Sequence, residues 1–314
     1  MFFVFPLQRT VVVRRTPDVR RAALVTMLMT RLYSFRVSSG WVEKLSSVLV
    51  RVTLGVRHVL SLRRPILSSS FSFGSSVSRW PVEWSAELAS HGFCIIPVLL
   101  TPDEIGKLSA ELSAVQSNDS VRRRKGVYAI RNLLDIVPAV AELAASERLK
   151  ALVAAALAPN AFAVRATLFD KTPGANWLVP WHQDLTVSVK ERLEITGYGP
   201  WTVKAGVHHV QPPVSILEGM LAVRIHLDDC HEQNGALRVL AGTHHAGRLT
   251  AEQIELARRS ATPITCSVNR GGAVLIKPLL LHASSAANQP SHRRVIHIDF
   301  ASSDLAGGLK WFTE

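Results

Sequence analysis

The chain predicts an α+β fold in which a helical front end precedes an antiparallel barrel or two-sheet jelly roll. Two observations carry this. An Ala- and Leu-rich stretch with apolar residues at helical spacing runs to residue 158, and after Pro159 the pattern changes to about eight short β-prone runs. Gly, Pro and Asn punctuate those runs, as hairpin connections require.

Taken in order, the first 80 residues differ in kind from the rest. They hold 13 Lys and Arg against only Asp18 and Glu43, so +11 of the net +12 lies there, and they end in the linker-like "SSSFSFGSSVS" (68–78). They read as an unstructured or non-native extension, with an organelle transit sequence or a membrane-surface arm as alternatives. Residues 81–314 are then almost neutral, which excludes the clustered basic face of a nucleic-acid-binding domain. With 47% hydrophobic residues the chain can bury a sizeable core. No apolar run reaches the ~18–20 residues of a membrane span. Three scattered cysteines, Cys94, Cys230 and Cys266, suit free thiols in a reducing, cytoplasmic setting.

"GFCIIPVLLTPDEIGKLSAEL" (92–112) reads as a short buried strand and then a helix, with Thr101 as N-cap, Pro102 in the first turn and Glu104 closing a capping box. A second helical zone spans 137–158. The expected strands are 161–169, 182–189, 219–229, 235–243, 263–268, 272–278, 279–285 and 293–302. Residues 190–218 form an unusually long connection, a candidate lid or substrate-recognition loop carrying Trp201, Lys204, His208, His209 and Gln211.

The chemistry centres on "VPWHQDLTVSV" (179–189). His182 and Asp184 are two apart in a β-prone run, so alternation puts both on one face of a strand, where they are expected to be buried. His282 ends a later apolar run, 98 residues beyond Asp184. Two imidazoles and a carboxylate make a facial triad for iron(II), with positions left open for co-substrate and dioxygen. Arg293 follows His282 by eleven residues and opens a strand, where a guanidinium could grip the far end of a dicarboxylate. A one-residue slip in register would bring in Arg294 instead.

These motifs, together with "NGALRVLAGTH" (234–244) and "LLLHASSAAN…HRRVIHIDFASSD", make residues 84–314 resemble the phytanoyl-CoA dioxygenase family of Fe(II)/2-oxoglutarate-dependent oxygenases. The resemblance implies a double-stranded β-helix, a cupin-like jelly roll with helices packed on one side. It implies His182, Asp184 and His282 as catalytic iron ligands, and Arg293 as the clamp on the far carboxylate of 2-oxoglutarate. Dioxygen would be the oxidant, and a small molecule the substrate to be hydroxylated, with a CoA thioester not implied. Asp184 stands where a halogenase would carry a small residue.

Arg224 departs from the aromatic expected at its position. It adds either a co-substrate or substrate contact or a strand-edge pair with Asp228 or Asp229, and His226 on the same face shares that choice. Lys171, Asn176 and Trp177 precede the iron pair and either line the mouth, Lys171 as a further co-substrate contact, or pack as an ordinary loop. "HH" at 208–209 cannot chelate from one face of a strand, and one of His244 and His245 packs at a turn. A zinc hydrolase with an open fourth position and a silent ligand-binding jelly roll are the rival readings.

Overall fold

The computed structural model describes residues 82–313 apart from 116–119 and 124–126, so the reading of residues 1–80 falls outside it. Helix α1 (Val82–His91) leads to β1 (Phe93–Ile96) and α2 (Pro102–Ala114), then to β2 (Val121–Arg123) and β3 (Val127–Ile130). Helices α3 (Leu133–Ile136), α4 (Pro138–Ala144) and α5 (Glu147–Ala156) complete the front half. Then come β4 (Phe162–Lys171), β5 (Val179–His182), β6 (Val187–Val189), β7 (Trp201–Lys204), β8 (Val207–Val210), α6 (Val214–Glu218) and β9 (Met220–His226). The chain finishes with β10 (Leu237–Val239), α7 (Ala251–Ser260), β11 (Ile264–Cys266), β12 (Ala273–Ile276), β13 (His282–Ser284) and β14 (Arg293–Ala301).

Among the described residues the strands form three sheets, all antiparallel. The large one runs β1-β12-β9-β14-β4-β3-β2, a second runs β11-β10-β13-β5, and a small third runs β6-β8-β7. This is the jelly roll with helices on one side that the sequence implies. On the large sheet, Ala166, Leu168, Ile296 and Ile298 face Leu88, Leu108, Leu112, Val140 and Leu149 of the helices in one core. Each Leu, Ile and Val among them contributes about 1.5–3 kcal/mol relative to exposure. A second core, around Trp311, joins β6 and β8 to the C-terminal turn, and a third fills the space between the large and second sheets.

The capping box is present as expected. The Thr101 side chain accepts from Glu104 N while the Glu104 carboxylate accepts from Thr101 N at 2.8 Å. All three cysteines are buried and unpaired.

Four expectations need correction. The helical zone at 137–158 breaks at Ser146, whose hydroxyl accepts from Leu149 N and starts a new helix, as Ser does at an N-cap. The strand at 182–189 is two strands: β5 ends at His182, and Asp184 lies beyond it, its N–H given to Pro278 O at 2.9 Å. Residues 190–218 are not an open loop, because β7 and β8 form a hairpin that pairs with β6. Helix α7 was missed although Thr250 and Gln253 form a capping box in "TAEQ".

Candidate active site

A cavity of about 300 Å³ lies between the large and second sheets. The second sheet brings the histidines together: β13 and β5 pair with His282 directly opposite His182, and their ring centroids are 4.2 Å apart. Nδ1 of His182 lies 2.8 Å from Pro180 O and Nδ1 of His282 lies 2.8 Å from Leu280 O. A carbonyl only accepts, so each ring keeps its proton on Nδ1 and offers the lone pair of Nε2.

Both lone pairs face Asp184. His182 Nε2 is 3.7 Å from Oδ1 and His282 Nε2 is 3.6 Å from Oδ2. These gaps are too long for hydrogen bonds. The three donors lie within 4.8 Å of one another, the arrangement of ligands around a common ion with bonds near ~2.1 Å. Burial drives the His282 imidazole down to about 4 despite Asp184, so it is the neutral ligand form. Burial opposes ionisation of Asp184, but the charges of His282, His297, His182 and Arg165 outweigh it and hold the carboxyl well below its usual range. The expectation that His182 and Asp184 are buried needs adjustment: their side chains are 36% and 30% exposed, against 5% for His282. They form part of the cavity wall rather than the core.

Gln183, between His182 and Asp184, was not singled out from the sequence. It lies outside the cavity lining, where its amide donates to Gly247 O at 2.8 Å and Leu279 O at 2.6 Å and accepts from Leu249 N at 2.8 Å. That clamp fixes the backbone carrying Asp184. A polar residue between two ligands on an alternating run was the available signal.

The large sheet supplies the opposite wall. Arg293 is buried on its cavity face, with Nη1 donating to Gly235 O at 2.7 Å and Nε left without a partner. Arg294 faces the other way and pairs with Asp228 through two contacts of 2.8 and 2.9 Å. The register therefore puts Arg293 in the cavity, and Arg294 is used elsewhere. Lys171 sits opposite Arg293 across β4 and β14; it donates to Ser284 Oγ at 3.1 Å and to Ser285 O, over the Trp177 ring. Burial, then the charge of Arg293, pushes its ammonium down to about 7. Gly235 closes this corner at φ +80°, where a Cβ would stand 2.6 Å from Ser285 O and 2.9 Å from Lys171 Nζ. Only glycine fits that approach.

Arg224 also lines the cavity, and the strand-edge pair with Asp228 or Asp229 is not formed. Its Nη1 donates to His297 Nδ1 at 2.8 Å, His297 Nε2 donates to Asp299 Oδ1 at 2.9 Å, and Asp299 Oδ2 accepts from Arg165 Nε at 2.6 Å. His226 shares the face of Arg224 but lies outside the cavity lining. Both its nitrogens are buried without partners, and burial with Arg224 and Arg293 keeps it neutral. Trp177 lines the cavity, whereas Asn176 braces a loop by exchanging hydrogen bonds with Ala287. Of the supposed lid, Lys204 and His209 reach the cavity and Trp201, His208 and Gln211 do not. His209 is held by Ser188 Oγ and Val207 O, as a packed rather than metal-binding histidine. His244 and His245 stack at 3.9 Å in a turn, with His244 against Ala89 O.

The phytanoyl-CoA dioxygenase family model matches residues 88–295, more than half of the chain. The chain belongs to that family. It is thus a non-haem Fe(II)/2-oxoglutarate-dependent oxygenase. No curated protein sequence matches it. Among solved structures it is similar to EctD from S. alaskensis with 2-oxoglutarate and 5-hydroxyectoine (17% identity, 80% of this chain and 84% of that one, TM-score 0.57). It is also similar to SnoK, a non-heme alpha ketoglutarate dependent carbocyclase from nogalamycin biosynthesis (12%, 74% and 88%, TM-score 0.56). AviO1 from Streptomyces viridochromogenes Tue57 is a third (22%, 74% and 98%, TM-score 0.53). At these identities the likeness is one of fold. Among the described residues no helix is long and apolar enough to cross a membrane.

Proposed function

We propose that His182, Asp184 and His282 hold iron(II), that Arg293 and Lys171 hold the far carboxylate of 2-oxoglutarate, and that the enzyme hydroxylates a small molecule. The observation that carries this reading is a His-Asp-His donor set sharing one cavity with a buried arginine that has a free Nε. The donor set fits the ion, because both Nε2 lone pairs and the Asp184 carboxylate converge with no competing partner. Iron held there would activate dioxygen, the oxidant, with 2-oxoglutarate oxidised to succinate and carbon dioxide as the second oxygen atom goes to the substrate.

The chain's own residues do the rest. Pro180 and Leu280 carbonyls orient the two imidazoles, and Gln183 fixes the Asp184 backbone. Arg293, steadied by Gly235 O, meets the distal carboxylate with a charge-assisted contact, and Lys171 adds a second cation beside it. Arg224 reaches the same cavity, and its tie to His297 keeps the guanidinium directed across it. A zinc hydrolase would leave the buried Arg293 guanidinium at the far end of the cavity without a role. Residues 81–314 form the oxygenase domain and residues 1–80 an extension outside it. The unpaired thiols suit a cytoplasmic enzyme.

The test is anaerobic. Fe(II) and 2-oxoglutarate added to the protein should produce the visible charge-transfer band of the chelate. His182→Ala should abolish it, and Arg293→Ala should require far more 2-oxoglutarate to reach the same intensity. A folded, metal-loaded wild type with no band would refute the proposal.

A further inference from the structure

The cavity has two ends. Along β4, Arg165 and Lys171 lie on the same face six residues apart, about 20 Å of strand. The pairing with β14 sets Lys171 opposite Arg293 at one end and Arg165 opposite Asp299 at the other. Arg165 Nη1 donates to Thr186 O at 3.4 Å, two residues beyond Asp184, which puts the Arg165 end next to the donor set and the Lys171–Arg293 end farther along β4. On the reading above, 2-oxoglutarate spans the distance from the metal to Arg293 and leaves the Arg165 end for substrate.

That end is cationic beyond what the protein neutralises. Arg131, one residue past β3 and level with Thr167 of β4, has Nη1 buried without a partner. Lys204, at the end of β7, lines the cavity and forms no ion pair among the described residues. Burial, and then the charge of Arg165, weakens the hold of Lys204 on its proton, with Arg131 adding to the effect. Arg131 is weakened in the same way, by burial first and then by Arg122 and Arg165. Arg165 is offset by Asp299, and His209 is kept neutral, its imidazole pushed down to about 4 chiefly by burial. Among the described residues neither Arg131 nor Lys204 is paired with an acid, and Asp184 offsets Lys204 only in part. Half-buried cations gathered without a close counter-charge are costly. A ligand that brings the missing negative charge relieves that cost.

We propose that the substrate is an anion whose carboxylate or phosphate group is received by Arg131 and Lys204, at the end of the cavity away from Arg293. This rests on the oxygenase reading, which assigns the Arg293 end to 2-oxoglutarate. The two cations set which end of the substrate points away from the metal, and hence which carbon is presented to it.

The experiment uses the full-length protein, anaerobic and loaded with Fe(II) and 2-oxoglutarate, with the chelate band recorded first. Hexanoate, hexyl phosphate and hexanamide are then titrated separately, and the change in the band is followed. At least one of the two anions should give a saturable change, the stronger arm telling carboxylate from phosphate, while hexanamide gives none. Arg131→Gln and Lys204→Gln should each weaken that anion about tenfold or more, the scale of a lost charge-assisted contact. The same variants, free of ligand, should melt no lower than wild type, since each removes an uncompensated cation. Hexanamide binding as tightly as the anions, no saturable response to either anion at millimolar concentration, or unchanged anion affinity in both variants would each overturn the proposal. If the chelate band never forms, the oxygenase reading fails by itself. The anion arms are then read by thermal shift, where stabilisation by anions, lost in the two variants, still decides the cationic end.

Discussion

On the helix-covered face of the large sheet, β4 and β14 contribute Ala166, Leu168, Ile296, Ile298 and Phe300, all packed in the main core. On the cavity face the same two strands contribute Arg165, Lys171, Arg293, His297 and Asp299. Both faces are largely removed from water, but they are held by different physics. The first is apolar and non-directional, so its stability follows the area buried. The second is a chain of charge-assisted contacts in which each member depends on its neighbour, and among the described residues its cations outnumber the acids beside them. One face keeps the fold; the other spends part of that stability on a place for ligands.

The harshest way to break this comparison is to put a cavity-face residue on the core face. Ile298→Asp would bury a carboxylate with no partner among Leu, Ile and Val side chains, at a cost of about 5 kcal/mol or more. We expect no soluble, cooperatively melting protein, whereas Ile298→Val should lose only about 1 kcal/mol. A folded Ile298→Asp protein that melts within a few degrees of wild type would show that this face is not the core.

The next effect is on the cavity face. Asp299→Ala removes the anion shared by Arg165 and His297 and should cost about 3 kcal/mol by urea denaturation, the usual penalty for leaving half of a buried pair. Adding Arg165→Met should recover part of the loss, because the orphaned cation is removed as well. If the two losses simply add, Arg165 and Asp299 are not coupled and the network reading fails.

The core face was the more legible of the two. Alternating apolar residues in "AFAVRATLF" and "RRVIHIDFAS" marked both strands, and the Thr101 capping box marked α2. The candidate ligands and Arg293 were also legible, through the two-residue spacing of His182 and Asp184 and the motifs shared with the oxygenase family. They were not legible through one strand face: Asp184 lies past β5, and His282 and Arg293 sit on opposite walls. The hairpin β7–β8 was not: Thr202, Lys204 and His208 interrupt its apolar pattern, and its partner β6 is only three residues long. Strands β2 and β3 were hidden in the same way by the run "VRRRKG". Lys204 was marked only as part of the long connection, and Arg131 and Arg165 were not singled out. All three come from separate strands, Arg165 within β4 and the other two at or just past the ends of β7 and β3, and only the fold shows that they share one end of a cavity.

A smaller effect separates affinity from stability. Lys171 holds its proton only to about pH 7 in the folded protein, so it is a cation below that pH and neutral above it. Its attraction for a carboxylate is therefore present at low pH and lost as pH rises through about 7. The affinity for 2-oxoglutarate, followed by the chelate band, should fall by up to about tenfold per pH unit above that point. Lys171→Met should flatten the profile in this range while leaving the chelate able to form. A wild-type profile that is flat from pH 6 to about 8.5 would remove Lys171 from co-substrate binding.

The smallest effect lies wholly on the helix side. Thr101→Ala removes the hydroxyl that accepts from Glu104 N and frees the Glu104 carboxylate, which also pairs with Arg148 at 2.6 Å. The expected loss is about 1 kcal/mol, or about 2–4 °C in melting temperature for a domain of this size. Helix α2 contributes Ile105, Leu108 and Leu112 to the core and no residue to the cavity lining. The 2-oxoglutarate affinity should therefore stay within about twofold of wild type, since sites with no shared partners act independently. A cap variant that lost affinity in proportion to its stability would mean that the helix layer positions the cavity face through the sheet. The two faces of β4 and β14 would then be one cooperative unit, and the division drawn between them would have to be abandoned.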